Sequence, residues 1–144
     1  MKVLLAISSF CDVDRKPLEM LEESRIEYAS NSPDRDISGM GWSNHLADSD
    51  ALIAGTIPIT ANVMDCAPRL KIISRVGIGL NSVDLNAARE RGIQVAYTPD
   101  APSNSVAELT LVHVISLLRG VVRANRAVHD GRWCRVMGRS LTEV

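Results

Sequence analysis

The chain has 144 residues, with 16 lysines and arginines against 17 aspartates and glutamates, and a formal net charge of −1. This length fits one domain, and 46% hydrophobic with 23% charged residues is typical of globular proteins. The balanced charge argues against a protein that binds nucleic acid or a membrane surface, and the short apolar run at the N-terminus is too short for a signal peptide.

Short apolar runs, rich in β-branched residues, alternate with helical patterns over the first hundred residues. Strands are predicted at residues 3–7, 25–29, 51–54, 70–76 and 93–97. Helices are predicted after Pro17, at 42–47, at 61–67 with Thr60 as N-cap, and at 82–91 with Asn81 as N-cap and Gly92 as the stop. Residues 31–41 read as a loop. This alternation predicts an α/β fold of the flavodoxin-like or Rossmann-like type, with a parallel five-stranded sheet and flanking helices.

The last third of the chain has a different pattern. Residues 105 to about 130 contain no proline and, apart from Gly120, no glycine, so one long helix of roughly 39 Å is predicted. Its first half is apolar on nearly every face, and such a helix must be covered on every face. Because Glu108, His113 and Arg119 interrupt the apolar run, we expect a protein neighbour against this helix and not a membrane.

The strongest chemical signal lies at residues 75–84, where a predicted strand ends and a helix follows. It begins with Arg75, Val76, Gly77, Ile78 and Gly79. Two glycines let the backbone approach a ligand, and free amides at the carboxyl edge of a parallel sheet bind anions. The pattern predicts a loop that binds a small anion. A purely structural turn stays open, as does a dinucleotide fingerprint, because Ser82 nearly completes Gly-x-Gly-x-x-Gly and Asp100 follows the next strand.

A stiff loop with two prolines, Pro99 and Pro102, precedes the long helix. Ser103, Asn104 or Ser105 is predicted to cap the helix, and Glu108 is predicted in its first turn, where a carboxylate favours the helix dipole. A well-capped helix start explains most of these residues.

The cysteines and histidines form no recognisable catalytic or metal-binding pattern. They are Cys11, Cys66 and Cys134, and His45, His113 and His129. Three widely spaced cysteines without a Cys-x-x-Cys pair predict reduced thiols in a cytoplasmic protein.

Taken in order, several segments resemble the D-isomer-specific 2-hydroxyacid dehydrogenases, and within them the D-3-phosphoglycerate dehydrogenases. The segments are residues 51–55, residues 70–79 with Asp84, Gly92 with Ile93, Thr98 with Pro99, residues 106–109 and residues 131–133. The resemblance extends from about Lys2 to Leu141 and therefore covers nearly the whole chain.

The resemblance implies two parts, residues 1–101 as a flavodoxin-like substrate-binding domain and 102–144 as an inter-domain helix and the start of a nucleotide-binding domain. It also implies that the loop at residues 76–79 holds the substrate carboxylate through backbone N–H groups, assisted by Arg75 and by the loop after Gly55. The loop before the long helix offers an asparagine in such enzymes. Without gaps, that place falls on Pro102, and Asn104 is the nearest asparagine.

In such enzymes the true nucleotide fingerprint and the catalytic arginine, glutamate and histidine come later in the chain than residue 144. We therefore expect a truncated dehydrogenase that contains no catalytic residue and binds no NAD or NADP by itself. Its parent would use that cofactor to interconvert a small 2-hydroxy acid and a 2-oxo acid, as a homodimer formed through helix 105–130. The alternative is a non-enzymatic anion-binding or corepressor-like module on the same fold. The resemblance also implies that the side chains that discriminate between acids lie partly beyond residue 144.

Overall fold

The computed structural model describes residues 1–7, 10–30 and 46–144. They form two compact units, Met1–Asp100 and Ala101–Val144. The predicted loop at 31–41, most of the predicted helix at 42–47, and His45 lie outside the described residues.

The first unit is built on a parallel sheet of five strands in the order β2-β1-β3-β4-β5. The strands are β1 (Lys2–Ala6), β2 (Glu27–Ser30), β3 (Ala51–Ala54), β4 (Ile72–Arg75) and β5 (Gln94–Tyr97). The predicted α/β fold with a five-stranded parallel sheet is confirmed. The bounds of the first, second, fourth and fifth strands differ from the predicted ones by one or two residues. The second strand begins at Glu27 and not at residue 25, because Arg25 has a left-handed φ of 54° that a strand does not accommodate.

Three helices flank this sheet among the described residues of the first unit, namely α1 (Lys16–Glu23), α2 (Ala61–Asp65) and α3 (Leu85–Glu90). The prediction that Asn81 caps the last of them is wrong. The N-cap is Asp84, whose side chain accepts a 2.9 Å hydrogen bond from the N–H of Ala87. Thr60 occupies the predicted N-cap position of α2, but its side chain makes no cap hydrogen bond.

Both faces of the sheet are covered by apolar side chains. On one face, Leu4, Leu52 and Ile73 from the three central strands are almost completely buried together with Ile59 and Met64. The opposite face forms a smaller cluster. It consists of Val3, Leu5 and Ala51, against which Leu18, Leu21 and Tyr28 pack. This double coverage explains why β1 and β3, at the centre of the sheet, read as continuous apolar runs and not as alternating ones.

The second unit contains α4 (Ser103–Arg119), α5 (Val121–His129) and a short 3₁₀ helix (Leu141–Glu143). The prediction of one continuous helix over residues 105–130 is wrong. Gly120 adopts the left-handed conformation with φ 60° and ψ 34°, which ends α4, and the two helices meet at a bend of 69°.

Packing within the second unit explains the break. A Cβ at Gly120 would lie 2.5 Å from Cγ1 of Val136, so the returning chain occupies the space that another residue would need. Arg139 donates its N–H to the carbonyl of Leu118 over 3.1 Å and so satisfies one of the acceptors left free at the end of α4. In the described part of the chain, no single helix is long and apolar enough to cross a membrane, although α4 and α5 taken together meet that criterion by length and composition.

Candidate functional site

The carboxyl ends of four neighbouring strands meet at one edge of the sheet. The register pairs Ala6 with Ala54, Ala54 with Arg75, and Arg75 with Tyr97, so these strands end level with one another. The strand order changes direction between β1 and β3: β2 is added on one side of β1, whereas β3, β4 and β5 follow on the other side. Open α/β sheets bind ligands at the carboxyl edge beside such a reversal.

The glycine loop after β4 is held from both sides. The N–H of Val76 donates to the carbonyl of Ala54 over 2.9 Å. The N–H of Gly77 donates to the hydroxyl oxygen of Thr98 over 2.8 Å, and the N–H of Thr98 donates back to the carbonyl of Gly77 over 3.1 Å. Gly77 has a φ of 139°, which only glycine adopts without strain. The loop therefore has one defined conformation, fixed by its neighbours on β3 and β5.

Two backbone donors of this loop are left over. Within the described residues, the N–H groups of Ile78 and Gly79 have no hydrogen-bond acceptor, and the Ile78 side chain is 56% exposed. Consecutive free amides in a glycine-rich turn form a small concave anion-binding surface. Of the amides that the sequence singled out, those of Val76 and Gly77 have protein partners, and those of Ile78 and Gly79 are available to a ligand.

The guanidinium of Arg75 lies directly against the same loop. Its Nη1 donates to the carbonyl of Val76, and a Cβ at Gly77 would overlap the guanidinium group. Its Nε is buried and has no hydrogen-bond partner among the described residues. A planar cation with unused donors beside free amides favours a carboxylate or a phosphate, because charge-assisted hydrogen bonds to guanidinium are strong.

A dinucleotide does not fit the geometry that follows this loop. In that motif the helix begins at the glycines, so that its N-terminal amides face the pyrophosphate. Here Leu80 to Asp84 separate Gly79 from the first residue of α3, and the carboxylate of Asp84 occupies the helix start. Asp100 lies beyond the end of β5, in an exposed turn. The interpretation of residues 77–82 as a nucleotide fingerprint is therefore wrong.

Asn104 is the second residue of α4 and is exposed in the second unit. The predictions that Ser103, Asn104 or Ser105 caps this helix, and that Glu108 lies in its first turn, are wrong. The N-cap position is held by Pro102, no side chain caps the helix, and its first turn contains no acidic residue.

The cysteines and the two groups with shifted pKa values described next are not residues of the glycine loop. No group of three histidine, cysteine, aspartate or glutamate side chains that could hold a metal occurs in the described ranges, and Cys11, Cys66 and Cys134 are free thiols. The hydrogen bond to Glu22 raises the pKa of Tyr28. Hydrogen bonds from the backbone and hydroxyl of Ser140 lower the pKa of Glu143.

Sequence patterns alone did not single out Thr98 as part of the site. The sequence offered one signal for it: Thr98 carries a hydroxyl group and comes directly after the predicted fifth strand. Its importance depends on the pairing of β4 with β5, which brings Thr98 and Gly77 together.

Comparison with known proteins gives a consistent result. Residues 5–143 match the family model described as the catalytic domain of D-isomer specific 2-hydroxyacid dehydrogenase. A glyoxylate reductase from Thermofilum pendens is 35% identical over 117 residues, covering 81% of this chain and 34% of that protein. A D-3-phosphoglycerate dehydrogenase from Methanocaldococcus jannaschii is 39% identical over 92 residues, covering 62% of this chain and 17% of that protein.

Solved structures share the fold. The TT0316 protein from Thermus thermophilus superimposes with a TM-score of 0.84 at 31% identity, covering 95% of this chain and 43% of that one. An NAD-dependent formate dehydrogenase from Staphylococcus aureus, solved with NAD, gives a TM-score of 0.75 at 27% identity, covering 93% and 43%. The chain thus spans about a third or less of the two curated relatives and less than half of these two solved chains.

Proposed function

The chain belongs to the D-isomer specific 2-hydroxyacid dehydrogenase family, and from this we propose that residues 1–101 are the substrate-binding domain of an NAD(P)-dependent dehydrogenase. The full-length protein would interconvert a small 2-hydroxy acid and its 2-oxo acid. The names of the relatives, a glyoxylate reductase and a D-3-phosphoglycerate dehydrogenase, support small hydroxy or oxo acids as the substrate class.

We propose that the loop after β4 binds the carboxylate group of the acid. One observation carries this assignment: the free N–H groups of Ile78 and Gly79 lie on the loop against which the Arg75 guanidinium rests. Hydrogen bonds from the two amides would fix the orientation of the carboxylate, and Arg75 would supply the compensating charge. The loop after Gly55 is a further candidate for contacts to the same substrate.

The cofactor of the full-length protein would be NAD or NADP, in line with the NAD complex of the formate dehydrogenase named above. When bound, it would accept or deliver the hydride. Because residues 77–82 do not fit a dinucleotide, we propose that the cofactor binds to protein sequence that is not among these 144 residues, and that the chain alone is catalytically inert.

We further propose that residues 102–144 connect the substrate-binding domain to a nucleotide-binding domain, and that α4 takes part in a homodimer. Many large apolar side chains of α4 are exposed. They are Val106, Leu109, Leu111, Val112, Val114, Ile115 and Leu117. A contiguous apolar surface of this kind on a helix marks a protein interface. Free cysteine thiols support a cytoplasmic location.

Titration of the purified chain by calorimetry with glyoxylate, hydroxypyruvate and NADH tests the proposed function. We expect millimolar binding of an oxo acid, no binding of NADH, and no oxidation of NADH followed at 340 nm when all are mixed. Substitution of Arg75 by methionine should weaken oxo-acid binding roughly fivefold, because a charge-assisted contact is lost.

The matched control is Arg89→Met, which removes an arginine from the last turn of α3 and should leave oxo-acid binding unchanged. Turnover of any 2-hydroxy acid by this chain would contradict the proposal that it is inert. Oxo-acid binding that is equal in wild type and Arg75→Met would contradict the role of Arg75. Failure of every oxo acid to bind would favour the alternative of a module with another ligand.

A further inference from the structure

The hydroxyl group of Thr98 is hydrogen-bonded to the glycine loop. Its oxygen accepts the N–H of Gly77 over 2.8 Å, so that amide is not free to reach a substrate. The position is fixed, because Thr98 also donates its own N–H to Gly77 over 3.1 Å and directly follows β5, whose last residue, Tyr97, is level with Arg75. One of these bonds holds the Thr98 side chain and the other holds its backbone, so the hydroxyl oxygen has a fixed position beside the loop.

A threonine hydroxyl that accepts one hydrogen bond still carries a hydrogen to donate. Within the described residues no acceptor takes that hydrogen, and Thr98 is exposed. Accepting the bond from Gly77 also polarises the hydroxyl, which makes its own hydrogen a better donor, as in any chain of hydrogen bonds.

We propose that Thr98 is a substrate-binding residue: its hydroxyl receives the hydrogen bond from Gly77 and donates its own to an oxygen of the substrate carboxylate. Thr98 thereby acts in place of the Gly77 amide and completes a set of three donors with the N–H groups of Ile78 and Gly79. This inference rests on the proposed function of the same loop and adds the residue that would link β5 to the substrate.

The arrangement has a consequence for substrate choice. Three neutral donors and the Arg75 cation match the two oxygens and the single charge of a carboxylate. The threonine hydroxyl can also rotate about its C–O bond, whereas the two amides are fixed in the backbone, so Thr98 is the donor that adjusts to acids of different size.

The test is titration of the ¹⁵N-labelled chain with glyoxylate, followed at the amide signals of Gly77, Ile78 and Gly79. In wild type we expect all three signals to shift with one common Kd, Gly77 included, although its N–H is donated to Thr98. We expect Thr98→Val to weaken binding about tenfold, since it removes the hydroxyl and keeps the shape, and Thr98→Ser to bind within about twofold of wild type.

Thr110→Val is the matched control, because it also removes a hydrogen-bonded threonine hydroxyl, the one that donates to the carbonyl of Val106 over 2.7 Å in the other unit. Its Kd should equal that of wild type. Thermal unfolding of each variant shows whether the fold is kept, and the Gly77 signal of wild type gives a result even if Thr98→Val does not fold.

Each outcome is decisive. Suppose that the amide signals of Ile78 and Gly79 shift in wild type. If Thr98→Val then binds glyoxylate as tightly as wild type, or if Thr98→Ser binds as weakly as Thr98→Val, the role of Thr98 is overturned and the proposed function stands. A Gly77 amide that stays unshifted while its neighbours respond overturns it in the same way, and marks Thr98 as a structural clamp only. If no loop amide of wild type responds to glyoxylate or hydroxypyruvate, the proposed function and the role of Thr98 both fail.

Discussion

The backbone N–H of Lys2, at the start of β1, donates a 2.9 Å hydrogen bond to Oδ2 of Asp50, one residue before β3. The other oxygen of the same carboxylate accepts a 3.0 Å hydrogen bond from Arg69. Asp50 is 8% exposed, and it joins the starts of two central strands to the segment that leads into β4. This contact lies at the amino edge of the sheet, at the opposite end of the strands from the glycine loop.

The contacts of Asp50 predict how its loss changes the dependence of stability on pH. The hydrogen bond from the Lys2 backbone, followed by that from Arg69, lowers the pKa of Asp50 below its usual 3.8. A depressed carboxyl pKa stabilises the fold above the unfolded pKa, and this contribution is lost as pH falls through the folded pKa. We expect Asp50→Asn to unfold at lower urea than wild type at pH 7, with the difference shrinking below about pH 4.

Urea unfolding at several pH values between about 2.5 and 7 measures this effect. Asp48→Asn is the control: it removes a nearby carboxylate for which no cation or backbone partner is observed within the described residues. A difference between Asp50→Asn and wild type that stays constant down to the lowest pH would contradict the assignment.

The N-cap of α3 gives a second prediction. Because the side chain of Asp84 accepts the N–H of Ala87, Asp84→Ala should lower the free energy of unfolding by about 1 kcal/mol. Asp84→Asn should cost less, since asparagine is an equally good cap. Chemical denaturation measures both, and Asn81→Ala serves as the comparison. A larger loss from Asn81→Ala than from Asp84→Ala would restore Asn81 as the cap.

Two glycines of the binding loop should respond differently to alanine. Gly77 has a φ of 139°, so Gly77→Ala should destabilise the fold by about 1–3 kcal/mol and displace the Arg75 guanidinium. At Gly79 a Cβ would meet only Oδ1 of Asn81, at 3.8 Å, and Gly79→Ala should stay within about 0.5 kcal/mol of wild type. Denaturation curves measure the stabilities. Equal losses for the two variants would show that φ at Gly77 is not the constraint.

The exposed face of α4 predicts association of the chain. Leu111 and Ile115, one helical turn apart, are 56% and 43% exposed, and replacing both by aspartate should shift the chain from dimer to monomer. Light scattering after size-exclusion chromatography, across a hundredfold range of concentration, measures the change. Val13→Asp is the control, because Val13 is fully exposed outside this helix. A wild-type chain that stays monomeric throughout would contradict the proposed interface.

The sequence by itself determined the strands and most of the helices of the first unit. Short apolar runs that alternate with helical patterns, with Thr60 and Gly92 marking helix ends, predict a parallel sheet with helices on both faces. The glycine loop after β4 was also visible in the sequence, since two glycines at a strand end mark a tight backbone turn. These features are set by residues that are close together in the sequence, so the sequence alone is enough to predict them.

Only the tertiary structure decided the rest, because the deciding contacts join distant parts of the chain. Gly120 ends α4 where Val136 returns to pack against it, and nothing in residues 105–130 shows that contact. Likewise Thr98 becomes the partner of Gly77 through the parallel register of β4 and β5, two strands separated in sequence by α3. The sequence pattern does not show which backbone N–H groups of a loop already have hydrogen-bond acceptors. The structure shows that Val76 and Gly77 have them, so the N–H groups of Ile78 and Gly79 are the free donors of the candidate site.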